Sequence, residues 1–359
     1  MKLFLKDATL VTRTLYAISG VATKWKSFRN IFNYNHFLIY NMNRIVESAK
    51  FVVDNSQHIK INSKKVDEFC DYFNHSHIKH WIDESPFNLR KLNPKDRLHF
   101  LLAFNSISFS YWGDPKWKIT YHSKEVDGAY GMISAVARAI ENKIPILDAK
   151  FLSEIKEDEF SKILEGNVQI PLFEERLNIL REIGTTLLKK FNGDFTNLLK
   201  KANGDSQKLL SLIIENFPSF EDSSTYNGKR VYFYKRAQLL IADIVQAFNG
   251  HEFGRLKNIN ELTACADYKL PFVLRRLGIF SYSDYLADKI DNQIQIDKDC
   301  EEEIELRANT IWVVELIKQK VKTKIAHADS IHVNDHLWLL GQKKLKNDKP
   351  YHLTRTTSY

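Results

Sequence analysis

The chain has 359 residues, 44% hydrophobic and 27% charged, enough apolar material for one large core or two smaller ones, which excludes disorder as the dominant state. Its formal charge of +8 would suit a polyanion, but Lys2, Lys6, Arg13, Lys24, Lys26 and Arg29 face Asp7 alone within residues 1–41. The body is therefore nearly neutral, and no stable nucleic-acid complex is expected of it. Cys70, Cys265 and Cys300 are far apart and odd in number, which argues against a disulfide framework and a structural metal site. No run of about 18 uninterrupted apolar residues suggests a membrane-spanning helix.

The basic, acid-poor segment 1–41 resembles a mitochondrial presequence; the other reading is an upstream extension, with Met42 as the effective start. Under either reading it stands apart from a globular domain at 42–359. The chain is expected in the cytoplasm, or in the mitochondrion if 1–41 acts as a presequence. Apolar periodicity predicts helices at 45–53, 66–73 and 96–109. Alternation at 117–121 predicts a strand, followed by a turn at 123–127. Tyr130, Ile133, Ala137 and Ile140 recur at helical spacing and stop before Pro145. Further helices are predicted at 160–164, 177–191 and 209–214, then a turn at Asn227 and Gly228 and a brief strand through Val231 and Phe233. Ala237, Leu240, Ile241, Ile244, Val245 and Phe248 form one apolar face of the clearest helix, ended by Gly250. Pro271 opens another helix, closed by Gly278, and 309–325 gives a last long one. The sum is a mostly α fold with a small β element, without the βα alternation of a nucleotide-binding sheet or barrel.

Common catalytic signatures are absent: no glycine-rich phosphate loop, paired-histidine zinc helix, nucleophile elbow or paired-cysteine motif. His75, His77 and His80 have no helical pair at four-residue spacing and read as packing or solvated groups, so no metal is expected. Residues 104–117 crowd aromatic rings with small hydroxyls, which suits a flat heterocycle stacked on its faces and read at its edges. The same composition also serves an aromatic core. Arg236, Leu239, Asp243 and Gln246 share a helical face away from the apolar stripe. Asp267 lies four residues ahead of Pro271, where a helix N-terminus would hold its carboxylate ionised; a capping aspartate reads equally well.

Seven stretches carry a resemblance: ESAKFVVDNS at 47–56, FSYW at 109–112, AVARA at 135–139, PLFEER at 171–176, FYKRAQ at 233–238, ADYKLP at 266–271 and EIELR at 303–307. In this order they resemble the queuosine salvage proteins, with Ser110 and Cys265 departing from that family's pattern and 1–41 without counterpart. The resemblance implies a fold similar to the helix-hairpin-helix DNA glycosylases. It also implies hydrolysis of queuosine 5'-monophosphate to queuine, a 7-deazaguanine base, and ribose 5-phosphate, for reuse of queuine in tRNA modification. Such chemistry builds positive charge on the sugar, so a carboxylate beneath the anomeric carbon is required. Asp267 is the expected one, with Asp243 orienting water or the leaving base and Tyr268 beside them. Phe109, Ser110, Tyr111 and Trp112 would hold the base, Glu174 or Glu175 its cationic side arm, and Lys235 with Arg236 the 5'-phosphate. The reaction calls for no cofactor, and a monomer acting on a small nucleotide, away from membranes, is expected. The competing reading is a helical protein that binds a modified nucleotide or RNA without cleaving it.

Overall fold

The computed structural model describes residues 44–359; the segment 1–41, with its expected boundary at Met42, lies outside the described residues. The helices in chain order are α1 (Arg44–Asn55), α2 (Ser63–Tyr72), α3 (Pro94–Ser106), α4 (Gly128–Glu141), α5 (Ala149–Glu154), α6 (Glu157–Ile163), α7 (Phe173–Phe191), α8 (Thr196–Ala202), α9 (Ser206–Asn216), α10 (Lys235–Ala247), α11 (Lys269–Arg276), α12 (Asp284–Asp291), α13 (Glu301–Lys322) and α14 (Ser330–Leu340). The strands are β1 (Ile59–Ile61), β2 (Lys118–Tyr121), β3 (Lys124–Asp127), β4 (Ser223–Tyr226), β5 (Lys229–Tyr232) and β6 (Phe280–Tyr282). They form only antiparallel pairs: the hairpins β2–β3 and β4–β5, and β1 with β6, where Lys60 faces Ser281. The fold is thus mostly α with small β elements, as the sequence implies.

One hydrophobic core extends from α1 to α14. Helix α13 runs through it, packed on α1, α2, α14 and β1. Helix α7 lies so close to α5 that a Cβ on Gly184 would collide with the backbone of Ala149 and Ser153, so no larger residue fits there.

Four departures from the expected elements have physical causes. Helix α3 stops at Ser106 instead of continuing to 109, because the apolar residues Ile107 and Phe109 are buried by a loop. The Arg176 guanidinium gathers that loop by donating to the carbonyls of Ile107, Phe109 and Ser110, the last at 3.2 Å, and Ser110 takes a left-handed φ of 38°. The segment after β2 is not all turn: His122 and Ser123 make the bend, and β3 returns. Helix α11 begins at Lys269, so Pro271 sits inside its first turn and Asp267 lies directly at its start. Helix α13 begins well before 309, because Glu302, Glu303, Glu305 and Arg307 are buried polar residues with no place in an apolar pattern.

Buried ion pairing then sets the geometry that the site needs. Arg307 of α13 grips Asp222 through two hydrogen bonds of 2.9 and 2.6 Å. Burial alone would raise the Asp222 carboxyl, but Arg307 outweighs it and holds it below its ordinary value. The Asp222 backbone carbonyl accepts the N–H groups of Phe233 and Tyr234 and its carboxylate accepts that of Lys235, each at 3.0 Å. The elbow from β5 into α10, where Tyr234 adopts φ 49°, is therefore tied to the central helix.

Candidate functional site

A cleft, partly open to solvent, lies where the loop 107–112 and the starts of α10 and α11 meet α14. One part of its lining is a run of aromatic rings: Trp81 meets Trp338 edge-on at 5.5 Å between centroids, and Trp338 meets Tyr130 at 5.5 Å and 89°. Phe109, Tyr111, Tyr268 and Tyr359 add further rings. Such a surface fits a planar heterocycle by stacking and edge contacts.

Asp267 lines this cleft although it is only 8% exposed. Its Oδ1 accepts the backbone N–H of Lys269 at 2.7 Å and of Leu270 at 3.2 Å, so the carboxylate caps α11, and its Oδ2 has no hydrogen-bond partner among the described residues. Burial raises the carboxyl above its ordinary value; the Lys235 ammonium and the two N–H groups oppose that rise. Lys235, 6% exposed, also lines the cleft, and its ammonium makes no hydrogen bond or ion pair among the described residues. Its place relative to Asp267 is set by Gln238, one turn along α10. The Gln238 amide accepts the Thr263 N–H at 2.8 Å and donates to the Thr263 hydroxyl at 2.9 Å and the Phe233 carbonyl at 2.8 Å. Asn334 of α14 accepts the Cys265 N–H at 2.9 Å and so also fastens the segment 263–265.

The structure brings Asp267, Lys235, Phe109, Tyr111 and Tyr268 together around the cleft. It places the other expected residues elsewhere. Arg236 faces away from Lys235, fully buried, its guanidinium donating to the carbonyls of Ser106 and Ser219, and burial lowers it to about 10. Ser110 and Trp112 lie beneath the cleft and fasten the segment 351–359. The Ser110 hydroxyl donates to the Thr356 carbonyl at 2.6 Å, its N–H donates to the Tyr359 carbonyl at 2.8 Å, and the Trp112 indole donates to the Thr354 carbonyl at 3.0 Å. They thereby position Tyr359, which does line the cleft. Glu174 and Glu175 are exposed in the first turn of α7 and do not line it.

Asp243 lies behind the wall. It is fully buried, and its carboxylate accepts the Trp81 indole N–H at 2.9 Å and the Asn105 amide at 2.8 Å. Burial pushes this carboxyl up to about 7 against the opposing hydrogen bonds of Asn105 and Trp81. A folded state that favours the protonated carboxyl gains stability that is full below the ordinary aspartate range and lost as pH rises through about 7. Asp243→Asn carries no such titration. Its Tm relative to the wild type should be higher near pH 8.5 than near pH 5, which thermal denaturation at roughly these two values checks.

Sequence reasoning missed Trp81, Tyr130, Asn334, Trp338 and Tyr359, and also the rim pair Lys116 and Asp127, whose side chains meet at 2.9 Å. Trp81 sits in a short 3-10 turn, and in α14 the polar residues Ser330, His332, Asn334, Asp335 and His336 are interleaved with apolar ones without a clean stripe, so neither offered a helical face to read.

A family model described as Queuosine salvage protein matches residues 89–359. Similar proteins named Queuosine 5'-phosphate N-glycosylase/hydrolase come from distant organisms. That of Sphaerobacter thermophilus is 34% identical over 323 residues, covering 88% of this chain and 97% of the relative. That of Mus musculus is 33% identical over 331 residues, with 87% and 98% covered. That of Schizosaccharomyces pombe is 30% identical over 335 residues, with 86% and 94% covered. With a family match over most of its length and relatives spanned nearly end to end, the chain belongs to the queuosine salvage protein family.

Proposed function

We propose that the protein hydrolyses the N-glycosidic bond of queuosine 5'-monophosphate, releasing queuine and ribose 5-phosphate. The observation that carries this reading is the pairing of a buried carboxylate, Asp267, with an unpartnered ammonium, Lys235, in a cleft walled by aromatic rings. The substrate has the matching parts: a flat base, a sugar that becomes cationic as the bond breaks, and a phosphate. Asp267 supplies negative charge to that sugar before the bond breaks, and its free oxygen can take the proton of the attacking water. The hydroxyl of water goes to the anomeric carbon, and the bonding electron pair leaves with the base, which picks up a proton. A 7-deazapurine has carbon where a purine carries its basic seventh nitrogen, so leaving-group stabilisation must come from the edge of the six-membered ring.

Lys235 is the cation best placed for the 5'-phosphate, because Lys116 is paired with Asp127, Lys269 donates to the Gly341 carbonyl at 3.1 Å, and Arg236 is held by carbonyls away from the cleft. Glu174 and Glu175 lie outside the cleft and are not retained as acceptors for the cationic arm of the base. The test is incubation of the protein with queuosine 5'-monophosphate, followed by chromatography. Free queuine and ribose 5-phosphate should appear in equal amounts. Nucleotide that binds tightly yet is recovered intact would leave the protein a binder instead of a hydrolase.

A further inference from the structure

Lys235, Leu239 and Asp243 follow one another on a single face of α10 at successive turns. The first two line the cleft, and Asp243 lies beyond them, covered by Trp81. Trp81 sits in a single 3-10 turn, Trp81–Glu84, so no long helix fixes its ring. What holds the ring is its contacts: the carboxylate of Asp243 at its N–H, Trp338 at 5.5 Å and Phe104 at 5.7 Å. The carboxylate is itself oriented, because the Asn105 amide that donates to it also donates to the Leu101 carbonyl at 3.1 Å. Trp81 also meets Tyr130 directly, at 6.3 Å, so its ring abuts both Trp338 and Tyr130.

We infer that Asp243 is a positioning residue, which fixes the Trp81 indole as a wall of the slot for the heterocycle and so governs affinity for the base, not the rate of bond cleavage. An indole has one N–H donor, and the Asp243 oxygen at 2.9 Å is its acceptor. Removing the acceptor leaves a buried donor without a partner and frees the ring to rotate. The inference takes its ligand from the proposed function, but base binding is measurable without turnover.

The experiment uses the full chain and four variants: Asp243→Leu, Asp243→Asn, Trp81→Phe and the Asp243→Leu/Trp81→Phe double. Queuine affinity is read from quenching of tryptophan emission, and kcat and KM from release of queuine. Asp243→Leu and Trp81→Phe should each weaken queuine and raise KM by about tenfold, with kcat within about threefold of wild type. The double variant should be no weaker than the weaker single, because both remove one contact. Asp243→Asn, which keeps a neutral acceptor, should recover most of the affinity. A fall in kcat of about a hundredfold with queuine affinity unchanged, or additive losses in the double variant, would overturn the inference. If Asp243→Leu fails to fold, Trp81→Phe and Asp243→Asn decide it on the same two readouts. A wild-type chain that binds queuine but releases none from the nucleotide would sink the hydrolase reading alone.

Discussion

Asp267→Asn should lower kcat for queuosine 5'-monophosphate by about 10²–10³ while leaving queuine affinity unchanged. The substitution keeps the shape and keeps an oxygen to accept from Lys269 and Leu270, so the cap on α11 survives. It removes the negative charge that must be in place before the sugar cation forms, and a preorganised charge avoids the cost of reorganising solvent. The wild-type rate should also fall on acidification at a higher pH than an ordinary aspartate would give, since burial raises the Asp267 carboxyl. That acid limb should be missing from the residual activity of the Asn variant. Asp243→Asn is the control and should lose far less in kcat. Retained turnover in Asp267→Asn with loss in Asp243→Asn would reverse the two roles; failure of both to fold would make them structural carboxylates.

Lys235→Ala should weaken queuosine 5'-monophosphate by about 10–100-fold and the dephosphorylated nucleoside by less than about threefold. The ammonium has no partner among the described residues to lose, so its removal leaves no protein group stranded. Its charge does act on neighbours: it lowers the Asp267 carboxyl and also acts on Asp243 and Cys265. Its loss should move the acid limb upward for both substrates, so the comparison belongs well above that limb, at about pH 8.5. Equal losses on nucleotide and nucleoside there would mean that Lys235 serves Asp267 or the fold, and that the phosphate is received elsewhere.

Much of the helical order was legible because most helices bury one stripe: α10 shows it in Ala237, Leu240, Ile241 and Ile244. The pattern failed where burial was not apolar. The first half of α13 is buried yet written in Glu302, Glu303, Glu305 and Arg307, and the partners of Glu305 and Arg307 lie far away in sequence. β1 and β6 are three residues each and become strands only by pairing with one another. At the site, Asp267 and Tyr268 stood out through a motif beside a helix start. Lys235 and Arg236 looked alike, being adjacent cations in one motif. Consecutive helical residues point about 100° apart, so one faces the cleft and the other the core. Trp81 and Trp338 gave no signal, since a lone tryptophan reads the same in a wall as in a core.

The pairing of β1 with β6, and the grip of Glu305 on the N–H groups of Gln57 and His58 at 2.7 and 2.8 Å, have a kinetic side. They close a loop of more than two hundred residues, and Trp81, Phe109, Lys235 and Asp267 all lie inside it. Closing a long loop adds little to the equilibrium cost, because that cost grows only with the logarithm of length. It does slow the search, since distant segments must meet before their contacts reward them. The cleft residues themselves, from Trp81 to Tyr359, are likewise far apart in sequence, so the contacts that assemble the cleft are of the kind that folding reaches slowly.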